Sequence, residues 1–495
     1  MKKLKTLLAA FMTAAMVLTM TGCDEEEPLA SKTSADAGAN NVEMDDEAVN
    51  EAAKALVDKA SYPDLKVEKR IKWMAWWPMD ETSGAAVLFK ELYGIPETGD
   101  DPDSEGRIFE YHAVAYGNHQ EILSTLIGSD EQPDLFPFEI KDFPYGILAR
   151  RYQPIEDIVD FSEDKWANYR ELNDQFMING KHYTAACGYT LQDLMWYKKS
   201  NIEAIGADDP QELFLQGKWD WDAFLDISRK WQQSGDSRYS TDGYAVDKSF
   251  VITTGVPLVG TDGTNIVSNL YSPDIERAVN GIIATLAKED LRYPRQEYGD
   301  STDPAKWSDD ETLFFCEGTW RYEETLQKFK QKYKWADDEI KVVPYPKDPK
   351  ADKYYVQMKI DPEMWVKGST NAAGVQAWLD CKVTAAADKA LHDASNAKMI
   401  KNPLQNYTQE IVDFLDTLYG LNGDCPVTPI VDFCTGLGTN VSTDENGKDT
   451  SLAPVWALTV GTYLEGESYT QNREANKDFI NIRIDEINAE VKLSE

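Results

Sequence analysis

Between Arg70 and Phe136 the chain alternates between two periodicities, and this limits the folds open to it. Arg70 to Trp77 reads as a strand stopped by Pro78, and Ser83 to Tyr93 repeats apolar residues at helical spacing. Ile108 to Tyr116 reads as a second strand, followed by a helix from His119 to Gly128 with Ile122, Leu123, Leu126 and Ile127 on one face. Pro133 to Phe136 reads as a third, short strand. Parallel strands need a crossover rather than a tight turn, so strand, helix, strand, helix, strand predicts a parallel sheet covered by helices. Such sheets take ligands in the crevice beyond the carboxyl ends of their strands. Here those ends are the segments after Trp76, after Tyr116 and around Phe138 and Glu139. With 495 residues, 42% hydrophobic and 11% aromatic, the chain can bury a large core and is long enough for two lobes.

Lys2, Lys3 and Lys5 precede an apolar run from Leu7 to Met20, too short to span a bilayer, that stops at Met20-Thr21-Gly22-Cys23. This pattern resembles a bacterial lipoprotein signal. Residues 1–22 are then expected to be removed as a signal peptide, and Cys23 to carry acyl groups that hold the chain at the extracellular face of the cytoplasmic membrane. An ordinary secretory signal with an incidental cysteine is the plainer alternative. Residues 23–66 are expected to form the lipidated cysteine and an acidic flexible tether, because the stretch is rich in Ala, Ser, Asn, Asp and Glu and poor in aromatics. A helix within Asp46 to Ala60 remains open. The net charge is −36, and loss of the three signal lysines makes it −39. A surface this acidic repels phosphates, which argues against nucleic acid and leaves the membrane to be met through the lipid alone.

Beyond Cys23 the cysteines are Cys187, Cys316, Cys381, Cys425 and Cys434, an odd number that excludes complete internal pairing. Cys425 and Cys434 flank a short Pro-rich loop and are either a disulfide or two buried thiols. No CxxC or paired Cys/His spacing occurs, so no metal or thiol-redox role is expected, and no cofactor.

Six further segments, in order, resemble the extracellular solute-binding proteins of ATP-driven carbohydrate importers, the group that includes maltose-binding protein. They are the strand ending Trp76-Trp77; Gln132-Pro-Asp-Leu-Phe136; Ile178-Asn-Gly-Lys-His-Tyr-Thr-Ala185 with Leu194-Met-Trp-Tyr-Lys-Lys-Ser-Asn-Ile202; Gly217-Lys-Trp-Asp-Trp-Asp-Ala-Phe224; Phe314-Phe-Cys-Glu-Gly-Thr-Trp320; and the run from Trp365 to Trp378. The chain departs from the pattern at Ala186 or Cys187, where a proline is usual, and at Lys198, where an asparagine is usual. The resemblance implies an α/β, two-lobed periplasmic-binding-protein-like fold, each lobe a mostly parallel sheet flanked by helices, with the ligand cleft between them. Mapped onto this chain, lobe 1 is 67–185 with 356–415, and lobe 2 is 186–355 with 416–495. It further implies a monomer that closes by hinge bending around a sugar or oligosaccharide and delivers it to the permease subunits of an ABC transporter.

A pyranose ring presents C–H groups on its faces and hydroxyls on its rim, so a site for it needs aromatic faces with planar acceptors and donors beside them. The chain has fourteen tryptophans. The candidates are Trp76 and Trp77, with Asp80 and Glu81 following; Glu139; Trp196 and Tyr197; Trp320; and Trp365. If the strand runs through both indoles, one of Trp76 and Trp77 faces the core and the other the crevice. The plainer readings are a core or strand position for Trp365 and solvated loop acids for Asp80 and Glu139. Trp219, Trp221 and Trp378 are read as core. The sequence has no GxSxG, HExxH or GxxxxGK[ST], and its four histidines are scattered, with His112 and His119 read as surface or capping residues. With 86 acids, closely placed carboxylates arise by abundance and support no hydrolysis by themselves. A non-enzymatic receptor is expected. A same-fold receptor for a peptide or polyamine and a surface glycoside hydrolase are the alternatives.

Overall fold

The computed structural model describes residues 46–96, 106–140, 142–243, 246–294, 304–360, 363–401, 407–421, 427–437, 455, 459–460 and 468–493. Cys23 with its signal, the tether as far as residue 45, and Cys425, on which the choice between a disulfide to Cys434 and two thiols turns, lie outside them. All described residues belong to the compact unit Asp45–Glu495.

Fifteen strands occur among the described residues. In chain order they are β1 Ile71–Ala75, β2 Phe109–Ala113, β3 Leu135–Pro137, β4 Met177–Ile178, β5 Lys181–His182, β6 Tyr189–Leu191, β7 Leu194–Lys198 and β8 Tyr239–Gly243. They continue as β9 Val259–Thr261, β10 Ile266–Ser268, β11 Thr312–Glu317, β12 Ile340–Pro344, β13 Tyr354–Ile360, β14 Glu363–Trp365 and β15 Val427–Ile430.

The first sheet has the order β14-β3-β1-β2. β2, β1 and β3 are parallel, as the alternation predicts, and β14 adds an antiparallel edge with Glu363 opposite Pro137. The crossover from β1 to β2 is the helix Gly84–Tyr93, begun by Ser83, whose hydroxyl accepts from the Ala86 amide. The helix Ala372–Ala387 lies on that helix, and its Trp378 meets Phe109 edge-on at 4.8 Å. The helix Asp46–Lys54 also docks here, with Val49, Ala53 and Leu56 buried. The flexible stretch expected to reach residue 66 is therefore ordered from Asp46, because apolar residues at positions 49, 53 and 56 make one buried stripe.

The second sheet has the order β12-β7-β11-β8. β8 and β11 are parallel, while β7 runs antiparallel to both its neighbours, β11 and β12. Three of its four strands thus run in one direction, with β7 reversed between β11 and β12. Helices on its faces leave every residue of β7 and β11 buried.

The sheets are joined by a third, narrow one. β13 pairs antiparallel with β6 and parallel with β15. The segment between Cys425 and Cys434, expected as a loop, supplies β15, whose Val427 to Ile430 align with Tyr354 to Gln357. Two residues separate β6 from β7 at Leu194, beside the carboxyl end of β11, and two separate β13 from β14 at Glu363, beside the carboxyl end of β3. The joining strands therefore connect the carboxyl edge of the first sheet to the carboxyl edge of the second. The helix Lys389–Lys401 packs on Asp46–Lys54, and the helix Gln409–Leu418 packs on β12, with Phe414 against Phe214 and Glu410 3.3 Å from Lys341. The final helix, Tyr469–Leu493, buries Ile480, Ile484, Ile487 and Val491 against the segments around Tyr145 and Ile266.

Candidate functional site

At the carboxyl edge of the first sheet, β1 stops at Ala75, so Trp76 and Trp77 sit in the bend beyond it and the alternation of a strand does not divide them. Both are half-buried and meet edge to face at 4.6 Å. Trp77 leans toward the core, 5.7 Å from Trp73, whose indole N–H donates to the Trp77 carbonyl at 2.9 Å. Trp76 turns the other way and lies 4.8 Å from the ring of His119. The sequence suggests a surface or capping position for His119. His119 is buried, nearly parallel to Phe136 at 5.6 Å, because the helix it opens begins directly behind the strand ends.

Of the acids at this edge, Asp80 has the solvated loop position of its plainer reading and Glu139 does not. Asp80 is exposed and accepts from the Thr82 amide and hydroxyl at 2.8 and 2.7 Å, an Asx turn leading into the next helix. The Glu81 carboxylate accepts from the Ile108 and Phe109 amides at 3.1 and 3.0 Å, which fixes the start of β2. Glu139 is no solvated loop acid. It is 6% exposed, and its carbonyl accepts from the Asp142 and Phe143 amides at 2.8 and 3.1 Å. In the same turn the Asp142 carboxylate accepts from Arg151 and Tyr152. Burial pushes the Asp142 carboxyl up, with Arg151 opposing, and burial beside Asp142 raises the Tyr152 phenol.

Three aromatic candidates are core residues. Trp196 and Tyr197 point to opposite faces of β7, but β7 lies inside its sheet and both faces are covered. The Trp196 indole donates to the Glu317 carbonyl at 2.9 Å, and the Tyr197 hydroxyl donates to Asp209 at 2.9 Å. Trp365 is 6% exposed in the apolar cluster that holds Phe109 and Trp378. Trp219, Trp221 and Trp378 are core as expected. Lys198, the departure from the usual asparagine, is a buried structural cation that donates to the Ser308 carbonyl at 3.0 Å and lies beside Trp307 and Trp335.

Trp320 is the candidate on the second sheet whose indole is not sequestered. It follows β11 at the carboxyl edge, half-buried, with its ring folded over Gly318 so closely that a Cβ there would lie 1.8 Å from it. Around it the edge holds charged groups that sequence reading did not find. The Ser249 hydroxyl donates to Asp193 at 2.5 Å, Arg292 pairs with Asp247 at 2.8 Å, and Arg321 lies 3.8 Å from Glu317. Burial raises Asp193 to about 6, opposed by Lys248, and pushes Asp247 up, opposed by Arg292. Their chain positions span residues 193 to 321, so no local motif announces them. A half-exposed indole on an edge that also carries carboxylates suits a ligand with an apolar side and a hydroxyl or amine rim.

A cavity of about 620 Å³ opens beside Lys72, Asp134 and Asn371, at the amino end of the first sheet, the other end of the strands from the tryptophans. Among the described residues no group of three or more His, Cys, Asp or Glu side chains could hold a metal, and no helix is long and apolar enough to cross a membrane.

No protein-family model and no curated protein matches the sequence. Solved structures do match. The sugar-binding protein MalE of Xanthomonas citri aligns over 86% of this chain and 98% of its own, with a TM-score of 0.56 at 14% identity. The fold is that of the ABC substrate-binding proteins. One from Listeria monocytogenes, solved in complex with cycloalternan, aligns over 83% of this chain and 98% of its own, with a TM-score of 0.53 at 12% identity. The cyclic α-maltosyl-1,6-maltose binding protein of Arthrobacter globiformis covers 86% and 99%, with a TM-score of 0.54 at 11% identity. Structural neighbours of this substrate-binding fold are two-lobed binding proteins.

Proposed function

We propose that the chain is a lipid-anchored extracellular receptor that captures a sugar or oligosaccharide between two lobes and hands it to the permease of an ABC transporter, without chemical conversion. The observation that carries this reading is the joining of two carboxyl edges, one bearing Trp76 and Trp77 and the other Trp320, by β6 and β13. The lobes are 67–185 with 356–415 and 186–355 with 416–495, except that the helix Gln409–Leu418 goes with the second lobe, on which it packs. Sugar bound by both edges favours the closed arrangement, which the permease reads. The receptor works as a monomer, with Cys23 as its anchor and no cofactor. A receptor for a cationic solute such as a polyamine or peptide is the second reading, favoured by the buried acids Asp193 and Asp247 at the second edge.

The test is a screen of oligosaccharides, polyamines and short peptides by tryptophan fluorescence and calorimetric titration. Saturable binding of an oligosaccharide, recovered chemically unchanged, is expected. Binding of a polyamine or peptide alone would replace the sugar reading with the second one, and turnover of the oligosaccharide would replace it with hydrolysis.

A further inference from the structure

Trp320 lies at the start of a continuous helical run that is itself fixed by aromatic contacts. The turn Thr319–Arg321 runs without a break into a wide π-helical turn, Tyr322–Leu326, and then into the helix Gln327–Tyr333. A π turn holds one extra residue and depends on its surroundings to persist. Here the surroundings are aromatic: Tyr322 lies between Trp196, nearly parallel at 5.2 Å, and Tyr407 at 4.8 Å. Trp196 is fixed by its bond to the Glu317 carbonyl, just before the glycine under Trp320. On the other side, the Tyr407 hydroxyl donates to the Glu323 carboxylate at 3.0 Å. Tyr407 itself is buried and stands immediately before Thr408, the cap of the helix Gln409–Leu418, which packs on the second sheet.

We propose that Tyr407 and Glu323 are positioning residues for carbohydrate binding, setting the seat of Trp320. The proposal rests on the reading of Trp320 as a ligand-contacting residue. Burial pushes the Glu323 carboxyl up while the Tyr407 bond opposes it, consistent with a half-buried carboxylate held by that one hydroxyl.

The test uses the full-length protein with 5-fluorotryptophan, the Trp320 resonance being assigned by its loss in Trp320→Phe. Tyr407→Phe keeps the ring contact with Tyr322 and removes only the bond to Glu323. It is expected to shift or broaden the Trp320 resonance in the absence of any sugar, and to weaken sugar binding by about tenfold. Glu323→Gln keeps an acceptor for the Tyr407 hydroxyl and is expected to leave the resonance in place and the affinity within about twofold. In a Trp320→Ala background, Tyr407→Phe is expected to cost no further affinity, which a merely structural role would not produce. An unmoved resonance in Tyr407→Phe overturns the proposal, and so does a full tenfold loss in the Trp320→Ala background. The resonance needs no ligand, so a protein that bound none of the sugars would refute the receptor reading while the resonance still judged the pair.

Discussion

Gly318→Ala changes the seat of Trp320 without touching the indole. The backbone at Gly318 has φ −74°, ordinary for any residue, so the effect of a methyl is steric alone. Its Cβ would fall 1.8 Å from Trp320 Cζ3 and 2.4 Å from Cε3 and Cη2. Carbon atoms rest about 3.5–4.0 Å apart, so the ring must retreat by roughly 2 Å. Trp320 is half-exposed and can swing outward, so the folding cost should stay near the low end of overpacking, about 1 kcal/mol. A stacking face displaced by that much loses most of its contact with a sugar. If Trp320 is a hot spot, the loss is on the order of 2 kcal/mol, roughly thirtyfold in affinity, and Trp320→Ala should set the same ceiling. Calorimetric titration gives the affinity and thermal melting the stability of both variants. A Gly318→Ala protein that binds its sugar at wild-type strength would refute the reasoning, as would a Trp320→Ala protein that does so.

Trp219→Ala should behave in the opposite way, lowering stability by about 3–5 kcal/mol while folded molecules keep their affinity, because its indole is wholly buried and bonded to the Pro344 carbonyl at 2.8 Å. Burial raises the Asp193 carboxyl in the fold to about 6 from its ordinary 3.8. A raised carboxyl contributes stability that is full below its unfolded pKa and lost as pH rises through its folded one, so Asp193→Asn should gain on the wild type by up to about 3 kcal/mol between roughly pH 4 and pH 7. Denaturant melts at each pH read this, and a pH-independent difference would contradict it. Cys23→Ala should abolish acyl labelling and release the protein from membranes, and continued labelling would refute the lipobox reading. Limited trypsin digestion should spare Lys54, since Val49, Ala53 and Leu56 hold its helix down, and a resistant product starting after Lys54 would count against that docking.

The first sheet was legible because each of its early strands and helices carries its own period and its own stop, such as Pro78 after Trp77 and Ser83 before its helix. The tryptophans were legible as a residue type and only partly as positions. Trp196, Tyr197 and Trp365 are local matches for cleft residues, yet what buries them is coverage by helices from elsewhere in the chain, which no local pattern carries. The same holds for Asp193, Asp247 and Arg292, and for Tyr407 meeting Glu323 across 84 positions. The helix Asp46–Lys54 was legible as a helix, but its docking depends on a surface made by residues some 40 to 340 positions later.

The strands joining the sheets are hydrogen-bonded to one another as a three-stranded ribbon rather than running as separate linkers. Such a ribbon resists sliding of one strand past the next but yields to flexing across its plane, so it behaves as a flexure with one soft direction. If a ligand draws the two edges together as proposed, it has few relative orientations to freeze out, and less of its interaction energy is consumed as lost freedom of motion.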